Sequence, residues 1–251
     1  MEKRMVIMGA TSGIGRKVAE LYIGRGWRVG VAGRRVHLLE ELKRMNPDRV
    51  EYEPIDVTGT CSEESLLRLI ERLGGMDVYF HCSGIGHQNM NLDADTELAT
   101  VQTNSIGFTR MVGAAFRYFA EKGTGHIAVV SSIAGTKGLG VAPAYSATKR
   151  FQNIYIQSLA QLARMKHYDI SFTDIRPGFV DTDLLSGNQH YPFMMKPEKV
   201  ACAIARAINY RRRKVVINRK YALLTFLWSM IPDYIWERLD IHTKAKNPDK
   251  L

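Results

Sequence analysis

Apolar and polar positions along the chain fall into two alternating rhythms. Short apolar runs mark strands at 4–8, 28–32, 50–54, 77–82, 126–131, 169–175 and 214–217. Between them, apolar residues recur every three to four positions, the spacing of one helix face, over 15–25, 36–45, 62–73, 95–122, 143–167 and 197–210. Runs such as Val78-Tyr79-Phe80 and Ile127-Ala128-Val129-Val130 are apolar throughout, as strands covered on both faces are. Strict β/α alternation predicts an α/β fold: a doubly wound, Rossmann-like parallel sheet with right-handed crossovers and helices on both faces. In such sheets ligands bind beyond the carboxyl ends of the strands, so functional residues should gather where strands stop and helices start.

The 251 residues show no composition break and no repeat, which predicts one domain over 1–251. Within it, 183–196 reads as an irregular substrate lid and 221–251 as a helical C-terminal extension. Three cysteines, Cys61, Cys82 and Cys202, lie at wide, unpatterned spacing. That argues against a disulfide framework and a metal site and fits a reducing, cytoplasmic setting. The apolar run Met5 to Met8 is too short for a signal-peptide core, and the longest run, Tyr221 to Ile231, is stopped by Pro232. Neither approaches the ~20 residues of a spanning helix. The net charge is +10, with basic clusters at Arg211-Arg212-Arg213-Lys214 and Lys244-Ala245-Lys246. These lack interleaved stacking aromatics, so no nucleic-acid partner is expected. A solvated face, or attraction of a phosphate-rich cofactor, accounts for them.

Chemistry enters with the turn Gly9-Ala10-Thr11-Ser12-Gly13-Ile14-Gly15, directly after the first strand. Its glycines allow a tight turn, close approach of main chain to a pyrophosphate and close helix–strand packing, with a helix N-terminus facing the phosphates. The second strand ends in Gly33-Arg34-Arg35, with no acid to hold a ribose 2′-hydroxyl. Arginines there suit a 2′-phosphate and favour NADP(H). Arg34 is the first choice of ligand; either arginine can also be a solvated first-turn residue. Asp56, followed by Val57, is placed to meet the adenine edge or to cap a helix.

Tyr145 and Lys149 are four apart and share a helix face, and Ser132 precedes the tyrosine by thirteen residues. A neighbouring cation is expected to pull the phenol's pKa down from near 10 toward the working range, making an acid/base pair for carbonyl–alcohol interconversion.

Taken together these residues resemble the short-chain dehydrogenase/reductase family, in its compact single-domain branch, over roughly 4–218. The glycine-rich turn is similar to the family's own, with Met8 where threonine is usual. Asn104, Ser132, Tyr145 and Lys149 match the family's catalytic tetrad in order and spacing. Asp56-Val57 resembles the adenine contact. Pro177-Gly178-Phe179-Val180-Asp181-Thr182 resembles the segment that holds the nicotinamide carboxamide, through Pro177, Gly178, Val180 and Thr182. After the fourth strand, His81-Cys82-Ser83-Gly84 stands where the family has Asn-Asn-Ala-Gly: Gly84 is kept, but the bracing asparagines are not, and Cys82 reads as structural.

The resemblance implies an NADP(H)-dependent ketone/alcohol oxidoreductase in which Tyr145 is the general acid/base and Ser132 positions the carbonyl oxygen. Lys149 acts on the tyrosine and the nicotinamide ribose, and Asn104 holds a water connecting Lys149 to solvent. It also implies a homodimer or homotetramer through the long helices. Leu184, Leu185, Tyr191, Phe193, Met194 and Met195 make the lid apolar, which favours a hydrophobic or medium-sized substrate, although ordinary packing explains them as well. The extension over 221–239, with Trp228 and Trp236, reads as a peripheral membrane contact, a cover for the cleft or a subunit contact. The alternative is a non-catalytic NADP-binding sensor or scaffold of the same fold.

Overall fold

The computed structural model describes residues 3–185 and 191–241. Its centre is a parallel sheet of β1 (Arg4–Met8), β2 (Arg28–Gly33), β3 (Val50–Pro54), β4 (Val78–His81), β5 (Thr124–Val130), β6 (Asp169–Pro177) and β7 (Lys214–Ile217). The spatial order is β3-β2-β1-β4-β5-β6-β7, so the winding reverses between β1 and β4. A crevice opens there beyond the strand ends.

Side chains alternate across the sheet and feed two cores. Val6 and Met8 of β1 join the core covered by α3 (Ser62–Arg72), α5 (Phe108–Lys122) and α6 (Pro143–Met165). Met5 and Ile7 join the other, covered by α1 (Gly13–Gly24), α2 (Val36–Met45) and α7 (Pro197–Asn209). Both sets are fully buried, which is why β1 is apolar at every inner position.

The helix expected over 95–122 is not one regular helix. α4 (Ala94–Val101) passes into a π-helical turn, Gln102–Gly107, before α5 begins. Gly107 lies so close to Val57 that an added Cβ would sit 2.9 Å from the Val57 carbonyl oxygen. The wider turn lets the chain back onto the β3 end and places Asn104 inward.

After β7 the chain forms α8 (Arg219–Met230) and α9 (Asp233–Trp236), separated at Pro232 as the sequence predicts. α8 buries Tyr221 and Thr225 and leaves Leu223, Phe226, Leu227 and Met230 exposed. Among the described residues no helix is long and apolar enough to cross a membrane.

Candidate active site

The glycine-rich turn packs too tightly for any side chain at two of its positions. A Cβ on Gly15 would lie 1.9 Å from the Gly9 carbonyl oxygen, and one on Gly9, whose φ is +88°, 2.7 Å from the Ser83 nitrogen. Gly13 touches Thr182, whose Cγ2 would be 3.0 Å from an added Cβ. The turn, the β4 end and the segment after β6 therefore converge. Ser12 caps α1 without a side-chain hydrogen bond, so its hydroxyl caps none of the first-turn N–H groups, Ile14 among them. This glycine cradle and its donors fit a pyrophosphate.

The two arginines after β2 part company. Arg35 donates from Nε and Nη2 to Thr11 Oγ1, at 3.3 and 3.0 Å. Exposed Arg34 makes no hydrogen bond or ion pair among the described residues and acts on Asp56 through its charge. Asp56 is not the N-cap of α3, a place taken by Cys61. Its Oδ1 accepts from Thr58 N at 2.9 Å and Thr58 Oγ1 at 2.7 Å, which holds the carboxylate at the mouth of the crevice. Buried Val57 takes Arg110 on its carbonyl oxygen.

Ser132 follows β5 with extended backbone, and its Oγ accepts from the Ala134 amide at 3.1 Å. That bond leaves the hydroxyl proton unspent, and Ser132 lies near enough to the Tyr145 hydroxyl to lower its pKa. The Tyr145 ring lies against Gly86, where an added Cβ would come within 2.5 Å of it. Lys149, one turn further along α6, holds its Nζ 5.7 Å from the centre of that ring. The ammonium donates to the Val130 carbonyl at 3.2 Å and to Gln152 Oε1 at 3.1 Å.

The electrostatics correct one expectation. In the free protein the phenol's pKa is not pulled down. Burial pushes Tyr145 above its ordinary value, and the hydrogen bond with Ser132 opposes this only in part. Lys149 is directed at Val130 and Gln152 and is itself buried. Burial lowers it from 10.5 to about 8, against the attraction of Cys82 and Asp174.

Asn104, fully buried, spends its side chain on structure. Its Oδ1 accepts from the Ile85 amide at 2.9 Å, and its Nδ2 donates to the Ile85 carbonyl at 2.7 Å and to Thr148 Oγ1 at 3.2 Å. Its main-chain carbonyl accepts from Gln152 Nε2 at 2.8 Å. Gly84 lies over this group; a Cβ there would be 3.1 Å from Asn104 Oδ1.

Pro177 ends β6, and Gly178 after it receives the ring of Tyr221, which a Cβ would strike at 2.2 Å. The Tyr221 hydroxyl donates to the Pro192 carbonyl at 2.5 Å. Val180 bridges to Met195, and Phe179 stacks near Tyr191 with centroids 4.6 Å apart. Part of the expected lid, 186–190, lies outside the described residues. On the opposite rim, Trp236 donates from its indole nitrogen to the Gly138 carbonyl at 2.6 Å, and Lys137 pairs with Asp233. Through these contacts the extension packs against Gly178 on one side and Gly138 on the other.

The family model described as short chain dehydrogenase matches residues 3–191. The chain belongs to the short-chain dehydrogenase family. An uncharacterized oxidoreductase of Myxococcus xanthus is 28% identical over 239 residues, covering 92% of this chain and 94% of the relative. Dehydrogenase/reductase SDR family member 7B of Xenopus tropicalis is 28% identical, covering 85% of this chain and 76% of that protein. Among solved structures, a short-chain dehydrogenase from Streptomyces avermitilis superposes with a TM-score of 0.80 at 22% identity, over 91% of this chain and 92% of its own. ElxO with NADP bound superposes at 0.78 and 19% identity, over 89% of this chain and all of its own. These two likenesses concern the fold.

As a short-chain dehydrogenase the protein is of an oxidoreductase family that uses nicotinamide cofactors and acts on small-molecule substrates. Of the candidate site residues, Gly9, Gly13, Gly15 and Thr182 meet around the first turn, Gly84 lies over Asn104, and Lys149 lies beside the Tyr145 ring. The sequence reading missed Gln152, Gly86, Tyr221 as a wall, and the Trp236–Gly138 bond. Only Gln152 had a signal available to it: a polar residue three positions beyond Lys149, on an otherwise buried face of α6. Where the family's bracing asparagines are absent, His81 accepts or donates through Nδ1 to the Tyr79 hydroxyl at 3.0 Å and rests edge-on against Phe108, tying β4 to α5. Burial lowers His81 to about 3, so it is a neutral packing residue. Burial pushes the Cys82 thiol up to about 12, which makes it a poor nucleophile.

Proposed function

We propose that the protein is an NADPH-dependent reductase of ketones, with Tyr145 as the general acid. When bound, the cofactor supplies a hydride to the carbonyl carbon. The nearness of Ser132 to the Tyr145 hydroxyl, with Lys149 Nζ 5.7 Å from the centre of the tyrosine ring, supports this reading most directly. A carbonyl oxygen seated between the two hydroxyls takes a hydrogen bond from Ser132 and a proton from Tyr145 as its charge grows. A phenol held above its ordinary pKa is fully protonated at neutral pH, so the free site is set to donate. Lys149, near pKa 8, remains largely charged at pH 7; two of its protons are spoken for and the third serves the phenol or a ribose hydroxyl.

Arg34 is the residue for the 2′-phosphate, since its guanidinium is uncommitted while Arg35 is held by Thr11. Gly9, Ser12, Gly13, Ile14 and Gly15 take the pyrophosphate, Asp56 and Val57 the adenine side, and Gly84, Pro177, Gly178, Val180 and Thr182 the nicotinamide side. Phe179, Tyr191, Phe193 and Met195 make the substrate end apolar, which suits a hydrophobic ketone. The test is absorbance of the reduced nicotinamide on mixing the protein with a panel of aliphatic and aromatic ketones, using NADPH and NADH in parallel. Consumption of NADPH with at least one apolar ketone is expected. NADPH binding without turnover on any ketone would leave the sensor reading in its place.

A further inference from the structure

We infer that Gln152 is a positioning residue: its side-chain amide links Lys149 to the Asn104 main chain and sets where the ammonium points. The inference rests on the reading of Lys149 as part of the reductase site. Gln152 is fully buried and lies one turn below Lys149 on α6. Its two amide atoms have different partners. Nε2 donates to the Asn104 carbonyl at 2.8 Å, and Oε1 accepts from Lys149 Nζ at 3.1 Å.

The first bond decides the second. A carbonyl accepts only from the NH₂ end of an amide, so Asn104 turns the Gln152 oxygen toward Lys149. The reversed amide would aim two N–H donors at an ammonium. The Asn104 carbonyl reaches this place because it belongs to the π-helical turn, where the main chain departs from the α-helical ladder. With Gln152 on one side and Val130 on the other, two of the three ammonium protons are engaged, and the nitrogen lies 5.7 Å from the centre of the Tyr145 ring. The other groups bearing on this nitrogen are Tyr145 on α6, Cys82 and His81 at the end of β4, and Asp174 on β6. Asp174 is itself occupied by Ser131, Asn153 and Arg176, so Gln152 is the side chain that meets the ammonium directly.

Two substitutions have opposite signs. Gln152→Leu removes an acceptor from the ammonium, which then gives up its proton more readily. Gln152→Glu places a carboxylate against it, which holds the proton more firmly. The readout is the pH titration of Lys149 in the free protein, by NMR of lysine labelled with carbon-13 at the ε position and assigned with Lys149→Met. The midpoint should fall by about one pH unit, roughly tenfold in the acid constant, in Gln152→Leu, and rise by about as much in Gln152→Glu. Midpoints within about 0.3 unit of wild type in both variants would overturn the inference. Gln152→Glu is nearly isosteric and keeps the test open if circular dichroism shows Gln152→Leu unfolded. Neither cofactor nor ketone is present, so a protein that reduces no ketone can still show both shifts, and one that reduces ketones can still fail to show them. In an active protein the alkaline limb of kcat should move with the NMR midpoint while KM for the ketone stays within about twofold.

Discussion

At one end of the cleft, Gly9 and Gly15 pack main chain against main chain and against the segment after β4, and Gly13 meets the Thr182 side chain beyond β6. At the other, the wall is assembled from remote side chains: Tyr221 against Gly178, its hydroxyl on Pro192, Trp236 on Gly138, Lys137 on Asp233. The first end is rigid because nothing larger than hydrogen fits. The second is held by a few aromatic anchors from α8 and α9 and is apolar and partly exposed, with Phe193 and Met194 open to solvent. A cradle for an invariant group such as pyrophosphate belongs on the first kind of frame. A wall that selects a substrate belongs on the second, where a change of side chain alters shape without disturbing the sheet.

Tyr221→Ala strikes the second end hardest. The ring is fully buried, and its loss should cost about 3–5 kcal/mol in denaturant unfolding, while Tyr221→Phe, which removes only the bond to Pro192, should cost about 1 kcal/mol. Both should alter KM for the ketone far more than NADPH affinity. Equal effects on both ligands would erase the distinction between the two ends. Gly15→Ala is the matching blow at the first end. Its Cβ meets a carbonyl oxygen that cannot swing away, so a loss of about 1–3 kcal/mol is expected together with a collapse of NADPH binding, read by fluorescence titration.

Arg34→Glu breaks no side-chain hydrogen bond among the described residues, leaves the Arg35–Thr11 bonds in place, and should weaken NADPH by about 10–100-fold, with NADH changed little. Comparable losses for both cofactors would remove Arg34 from the 2′-phosphate. A smaller effect concerns pH. The pKa of Lys149 is lowered on folding, from 10.5 to about 8. Above pH 8 the unfolded chain therefore binds more protons at this site than the folded one, and wild type should gain stability with rising pH. Relative to Lys149→Met, the gain should be about 1–2 kcal/mol between pH 8 and about 9.5, measured by urea denaturation at each pH. A constant difference across that window would show that burial does not perturb the lysine.

The same contrast governs what the sequence revealed. Strand positions were legible because strands covered on both faces must be apolar, and the glycine turn because its spacing is local to one β/α junction. Tyr145 and Lys149 were legible because helical spacing joins them. The regular helix expected over 95–122 failed at Gln102–Gly107, since the π turn answers to Val57 and Ile85 rather than to its own sequence. Gln152 escaped notice because its role depends on a carbonyl in another helix, and Tyr221 because it meets Gly178 only after the chain has passed through β7. The direction of the Tyr145 pKa also needed coordinates. Spacing brings the lysine near, but only the structure reveals that the phenol is buried, which raises its pKa.

The central claim is that the Tyr145 hydroxyl delivers the proton. It is tested by comparing wild type with Tyr145→Phe for NADPH binding by fluorescence and for single-turnover oxidation of NADPH with a ketone that wild type reduces. Binding within about threefold of wild type, with the chemical step slowed by about 100-fold or more, is the predicted result. A Tyr145→Phe protein that reduces the ketone at the wild-type rate would contradict it.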